Sequence, residues 1–314
     1  MMRGRRNWAV AVRKGDGSVH VEAHDLRLAA EDKPWLGKPV IRGVWGFYET
    51  LVLAMKAFQV SAEQAGETEE EQLSSREVGI SMVLGLALAV LLFIVIPAVL
   101  TNVLVGPAIE RPLAWNVVDG ALRVAAFFAY IWAVSRVPDI QRVFAYHGAE
   151  HKTIHTFERG LPLSPGVIQG HTTKHVRCGT SFLLMVMVVA LVVFSLVPVR
   201  TILEALGVTH RLGSLGLNIL IRIALLPLVA GLAYEVVRWA GKRPDDPFVR
   251  VLLWPGLQLQ RMTTREPDDS MVEVAVVAME AVALREGLLP PGEGTAEAAG
   301  DAPSTVLADE PPPT

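Results

Sequence analysis

At 314 residues the chain has room for one or two domains, but 51% hydrophobic against 19% charged residues and a mean hydropathy of +0.38 argue against a soluble enzyme. A net charge of −3 argues against a nucleic-acid surface. The single cysteine, Cys178, excludes an internal disulfide and leaves a core residue, a ligand or a reactive thiol.

Met1 to Arg6 is basic but runs into a polar stretch, which is not the pattern of a cleavable signal. Alternation of Trp8, Val10 and Val12, the turn residues Lys14-Gly15-Asp16-Gly17, then Val19 and Val21, predict a β-hairpin. Residues 1–39 are therefore hairpin and linker. Residues 40–62 are apolar but interrupted by Arg42, Glu49 and Lys56, which predicts an amphipathic helix lying at the membrane interface. Glu67 to Glu71 reads as an acidic, solvated linker.

A four-span membrane bundle is expected over 80–239. Ile80–Val105 carries no charge and is long enough for about 30 Å of hydrocarbon. Residues 113–137 form a second span with Asp119 and Arg123 at i,i+4, charges that at such depth pair or face the bundle interior. Ser181–Val197, ended by Pro198, is a third. Asn218–Trp239, with Arg222 near its start, is a fourth. Arg142, Lys152, Arg159, Lys174 and Arg177 lie between the second and third spans, and Arg238, Lys242, Arg243 and Arg250 follow the fourth. The remaining connections offer only Arg111, Arg200 and Arg211. The positive-inside rule then puts both termini and the 138–178 segment in the cytoplasm of a multi-pass plasma-membrane protein.

Residues 244–287 are expected to hold a loop-rich stretch to Pro267, with Leu252–Gly256 resting on the membrane surface. An amphipathic helix with Val272, Ala275, Val276, Met279 and Val282 at helical spacing follows, capped by Asp268-Asp269-Ser270. That helix needs a partner, and the N-terminal hairpin is the nearest. Residues 288–314, rich in Pro, Gly, Ala and acid without Lys or Arg, read as disordered. The expected fold class is thus a mainly α membrane protein, with about four transmembrane helices and a small α+β cytoplasmic cap.

The chemistry concentrates in a helix expected over 139–159, where Pro138 stops the second span, Asp139 caps the new start and Gly160 followed by Pro162 closes it. His147, His151 and His155 advance about 40° per step around it, with Glu150 beside them. His147-Gly148-Ala149-Glu150-His151 fits H-x-x-E-H, in which two histidines hold zinc and the glutamate is the general base. Past a loop come His171, His175 and Cys178; the last two return a nitrogen and a sulfur to the same level. The expected ligands are His147 and His151, with a third from His155, His175 or Cys178 around Zn2+ or another divalent transition metal. Glu150 would activate water, and Arg177 would neutralise an anionic substrate or transition state. His20, His24 and His210 read as core or capping residues, and His171 as a loop residue.

Tyr146 to Glu158 together with His175 to Phe182 resembles the YqhQ-like family of uncharacterised bacterial membrane proteins, often labelled predicted metal-dependent enzymes. The resemblance runs from Met1 to about Glu286. It includes Met1-Met2-Arg3-Gly4, Arg42-Gly43, Pro255-Gly256 with Leu259-Gln260, and Thr263-Thr264-Arg265-Glu266-Pro267-Asp268. Relatives usually carry a Gly-rich segment before the first of these, and Pro where Val176 stands, which loosens that turn here. The resemblance implies a metal site and neither a substrate nor a reaction.

The leading functional expectation is a zinc-dependent hydrolase at the cytoplasmic membrane surface, in contact with membrane lipid and acting on a lipid-linked or membrane-protein substrate. Its rivals are a scaffold or assembly factor with a structural metal closed by His147, His151, His175 and Cys178, or with a purely polar histidine cluster, and a small transporter using Asp119, Arg123 and Arg222. Four spans are few for a monomeric carrier, an objection that a homo-oligomer would meet. A Cys178 nucleophile with His175 as base is a further option.

Overall fold

The computed structural model describes residues 1–26, 31, 33–65, 75–106, 111–176, 178–208, 210–243 and 246–289. The acidic linker expected over 67–71 and nearly all of the expected tail, 290–314, lie outside them.

The N-terminal alternation folds as β1 (Met2–Arg3), β2 (Asn7–Arg13) and β3 (Val19–Asp25), an antiparallel sheet in that order. The hairpin register pairs Asn7 with Asp25 and Arg13 with Val19. Gly17 adopts φ 85, open to glycine without strain, and Asp16 Oδ1 accepts the Ser18 amide at 2.9 Å. The added strand β1 is too short for alternation to reveal.

Helix α1 (Ile41–Ala65) covers the segment expected at the interface. Its start is strained: Val40 has φ 68, unusual for a β-branched residue. What holds it is Glu235, which accepts the Val40 amide at 3.2 Å and Arg42 Nε at 2.7 Å, and also pairs with Arg42 Nη2. Glycines allow the approach, since a Cβ on Gly43 would stand 2.8 Å from the Gly231 carbonyl oxygen.

Helix α2 (Ser75–Val90), a π-turn (Leu91–Val95) and α3 (Ile96–Leu104) form one apolar rod. Pro97 explains the π-turn: with no N–H it cannot bond the Phe93 carbonyl, and its ring crowds the preceding turn. Then come α4 (Pro112–Val134), α5 (Pro138–Glu158), α6 (Pro165–Gln169), α7 (Gly179–Leu196), α8 (Val199–Ala205), α9 (Arg211–Gly241), α10 (Pro247–Thr263) and α11 (Asp269–Arg285). Four stretches are long and apolar enough to cross a membrane: Gly79–Leu104, Leu113–Val134, Gly179–Leu196 and Leu212–Gly241. These are the four expected spans, and they mark a membrane protein by length and composition.

The expected loop-rich stretch after the fourth span is instead the helix α10. Asp246 caps it by accepting the amides of Phe248 and Val249, Pro247 occupies the first turn where no N–H is needed, and Pro255 is accommodated inside. Pro255-Gly256 is not a helix break. Gly256 is a contact, because a Cβ there would stand 2.9 Å from Ser181 on α7. Helix α11 finds the expected partner: Val272, Ala275, Val276, Met279 and Val282 bury against Met2 and Ala9 of the sheet, Ala149 of α5 and Ile168 of α6. Asp268 caps it through the Met271 amide.

Within the spans one polar network is buried. Arg222 donates to Asp119 Oδ2 at 2.8 Å, Asn116 Oδ1 at 2.7 Å and Asn218 Oδ1 at 2.9 Å, while its guanidinium lies 4.6 Å from both the Trp115 and Phe194 ring centroids. Arg123 Nε donates to the same Asp119 Oδ2 at 2.8 Å, and its Nη1 donates to the Phe93 carbonyl, within the π-turn, at 2.9 Å. With the Asp119 and Arg222 side chains 1% and 4% exposed, deleting the carboxylate strands two cations. Asp119→Ala should therefore destabilise the protein by about 3–5 kcal/mol, read as a lowered melting temperature in detergent; a change within error would contradict the ascribed role.

Candidate metal centre

Helix α5 starts one residue earlier than Asp139 suggests: Val137 is the cap and Asp139 sits in the first turn, where its charge favours the helix N-terminus. Gly160, at φ 64, takes the left-handed position that ends it. Three histidines at four-residue spacing do not point to one place. Eight residues carry His155 about 12 Å along the axis from His147, too far for both to bind one ion.

The structure divides the donors accordingly. His147, His151 and Cys178 form one group, and His155, Glu158 and His175 a second, with one ligand atom from each residue within 4.8 Å of the others in its group. Of the three residues weighed as third ligand, Cys178 joins His147 and His151; His155 and His175 do not. The imidazoles make a continuous string, with ring centroids 4.4 Å apart for His147–His151, 5.8 Å for His151–His175 and 4.8 Å for His155–His175.

The first group is held from behind. His147 Nδ1 lies 2.8 Å from the Thr263 carbonyl oxygen, and His151 Nδ1 is bonded to the Thr173 carbonyl oxygen. An acceptor of that kind requires N–H on Nδ1, which leaves the lone pair on Nε2. Cys178 Sγ lies 3.2 Å from His147 Nε2 and 3.0 Å from Thr180 Oγ1. Burial alone would push the thiol up, but hydrogen bonds from His147 and His151 and the His147 charge outweigh it and bring Cys178 down to about 5. Burial works against charged His147 as well, yet Cys178, the Thr263 carbonyl and Glu150 raise it above the ordinary histidine value. Without a metal each of the two thus favours the charged form of the other, thiolate beside imidazolium.

Close backbone approach makes this possible. A Cβ on Gly148 would stand 2.0 Å from the Arg265 carbonyl oxygen, and the Arg265 amide donates to the Phe144 carbonyl at 2.9 Å. Gly148 therefore admits the 263–265 segment that brings Thr263 to His147.

In the second group His155 Nε2 lies 2.8 Å from the Lys174 carbonyl oxygen, and His175 Nε2 is 3.4 Å from Glu158 Oε2. Burial lowers the His175 pKa, against the pull of Glu158 and with the help of the neighbouring histidines. The His175 backbone is clamped by Gln260, whose Oε1 accepts its amide at 2.8 Å and whose Nε2 donates to its carbonyl at 2.8 Å.

Glu150 belongs to neither group; its carboxylate lies 2.8 Å from the Met1 amine. Arg177 lies outside the described residues. His210 is a capping residue, as expected, accepting the Gly213 amide at 2.8 Å. Sequence reasoning passed over Glu158, although i,i+3 spacing from His155 signals it. It could not have found the carbonyls of Thr173, Lys174 and Thr263, which any residue type supplies.

A family model described as a protein of unknown function (DUF1385) matches residues 38–285. The chain belongs to this family. It is also 33% identical over 304 residues to the uncharacterized protein YqhQ of Bacillus subtilis (strain 168), covering 92% of this chain and 90% of that protein. No solved structure matches. The family match takes in α5, the loop to Cys178 and α10, and so every donor of both groups and the glutamine that clamps His175.

Two outcomes are expected. Gly148→Ala should displace the 263–265 segment and weaken metal binding about 10–100-fold, the usual effect of losing an outer hydrogen bond to a ligand, measured by competition with a chelating dye. In metal-free protein the thiolate absorbance of Cys178, referenced to Cys178→Ser, should disappear as pH falls through about 5, and His147→Ala should move that midpoint upward; a midpoint in the ordinary thiol range would deny the pairing.

Proposed function

We propose that this chain is a zinc-dependent hydrolase whose centre is His147, His151 and Cys178. The observation that carries the reading is the three-donor set, N, N and S, with both imidazoles oriented by carbonyl oxygens on their far nitrogens. Three protein ligands with a position left over is the catalytic arrangement; four close a structural site. The closed set that would favour a scaffold needs His175, which sits with Glu158 instead. When bound, the metal supplies a Lewis acid and lowers the pKa of its water. The chain's own part is to hold thiolate and imidazoles in register. Glu150 lies between the two histidines on the same helix, and for it to act as base its contact with the Met1 amine has to open.

The position of the centre supports a membrane-surface site. Helix α5 follows the second span after three residues, and Cys178 immediately precedes the third, so both halves of the site sit at the same side of the bundle. The excess of Lys and Arg on that side supports a cytoplasmic site with cytoplasmic termini, and its level suits a lipid-linked or membrane-protein substrate. The transporter reading is weakened because Arg123 and Arg222 spend their donors on Asp119, two asparagines and backbone carbonyls, which suits a structural network better than a relay.

One observation favours a second reading, the 3.2 Å contact of Cys178 with His147. It makes His147, rather than His175, the base of a cysteine nucleophile, with the Thr263 carbonyl as the third, orienting group.

Cobalt substitution tests the centre directly: a thiolate-to-cobalt charge-transfer band should appear and be abolished by Cys178→Ser or His147→Ala, and its absence from loaded protein would refute the metal centre. Protein reconstituted with bacterial membrane extract should release a cleavage product that chelator removes and zinc restores. Glu150→Gln should keep the cobalt band and lose the product. Product formation that survives chelation but not alkylation would give the site to the cysteine nucleophile.

A further inference from the structure

We propose that His155, Glu158 and His175 form a second metal site, for a divalent first-row cation, beside the first. It rests on the metal-centre reading above and extends it to a second ion of different ligand chemistry. The three donors come from two separate elements, the last turn of α5 and the loop before α7. They converge within 4.8 Å, as the first group does.

The support behind them is built in the same way. His155 spends Nε2 on the Lys174 carbonyl oxygen at 2.8 Å, which leaves Nδ1 as the lone-pair nitrogen. His175 is fixed at both its backbone amide and its carbonyl by Gln260, which has no exposed surface and is itself tied to Ser181 Oγ at 2.8 Å. A buried glutamine committed to one histidine's backbone is an expensive way to hold a loop and an economical way to hold a ligand. A further imidazole stands near: His171 has its ring centroid 6.4 Å from that of His155, and its Nε2 is buried without a hydrogen-bond partner among the described residues. It lies outside the converging set, and reaching an ion held there would take a shift of its ring.

The ligand set sets the preference. Two nitrogens and a carboxylate oxygen, without sulfur, form a harder site than His147–His151–Cys178, and zinc, manganese and iron(II) all accept it. The Glu158 side chain is 37% exposed, so this site opens toward solvent at the rim. The bland alternative is a polar network, in which the His175–Glu158 contact at 3.4 Å does no more than pin the loop to the end of the helix.

The two groups differ in sulfur, and this lets them be tested apart. Full-length protein in detergent is stripped of metal and titrated with zinc, then with cobalt. Wild-type protein should bind two equivalents, and Cys178→Ser should keep one while losing the thiolate-to-cobalt band. Glu158→Gln, a substitution at a half-exposed position, should also keep one equivalent but retain the full band; His155→Ala should behave likewise. Unchanged thermal unfolding of metal-free Glu158→Gln confirms that the loss is of a ligand. One equivalent in wild type with the band intact overturns the second site and spares the first, as does a Glu158→Gln variant that still binds two. No equivalents and no band overturn both.

Discussion

A buried glutamine joins the two halves of this molecule's candidate site. Gln260 lies on α10, faces α7 and makes three bonds: two to the backbone of His175 and one to the hydroxyl of Ser181. Burying an amide costs several kcal/mol unless its donors and acceptor are met, and here they are met by the loop that has to be positioned. The contact depends in turn on Gly256, one turn earlier, where any side chain would collide with Ser181. The ligand loop is therefore set by how closely α10 and α7 pack. Its own sequence does not set it, and Val176 need not be a proline for the loop to hold its place.

The same logic runs along α5. His151, Lys152 and His155 each take a carbonyl oxygen of the incoming loop, from Thr173, Gln169 and Lys174 in turn. The loop lies on the helix as a row of acceptors, and each imidazole bonded to it keeps its other nitrogen for what lies in front. His147 takes its acceptor from the opposite side, Thr263 after α10, which is why Gly148 has to be bare. Helix, loop and α10 therefore meet at one place, and the four imidazoles are strung along it.

Much of this was legible in the residues. The four spans follow from uninterrupted apolar length, the hairpin from alternation around Asp16-Gly17, and the docking of α11 from its helical apolar spacing. Membership of one candidate centre was half legible: His147 and His151 share a face at i,i+4, and Cys178 lies at the start of a span. What could not be read was the partition. Angular spacing places three histidines on one face, while the rise of the helix forbids them one ion, and only the loop's path decides which donor each meets. Pro255-Gly256 misled for a related reason. Both residues break helices in water, but a proline inside α10 is tolerated when neighbours supply packing, and the glycine is there for contact.

The string of imidazoles also constrains its own charge. Ring centroids 4.4 to 5.8 Å apart along His147, His151, His175 and His155 place like charges close together if all were protonated, in surroundings that are mostly buried. At His175, burial and the neighbouring histidines together lower the pKa against the pull of Glu158. His147 is the exception because a thiolate stands beside it. A row of imidazoles whose ring nitrogens are bonded to fixed backbone carbonyls, ending in a cysteine on one side and a carboxylate on the other, is a set of donors already oriented. On the metal-centre proposal, a cation entering there would not have to reorganise the backbone of its ligands, and this preorganisation is what the close packing of α5, α7 and α10 accomplishes.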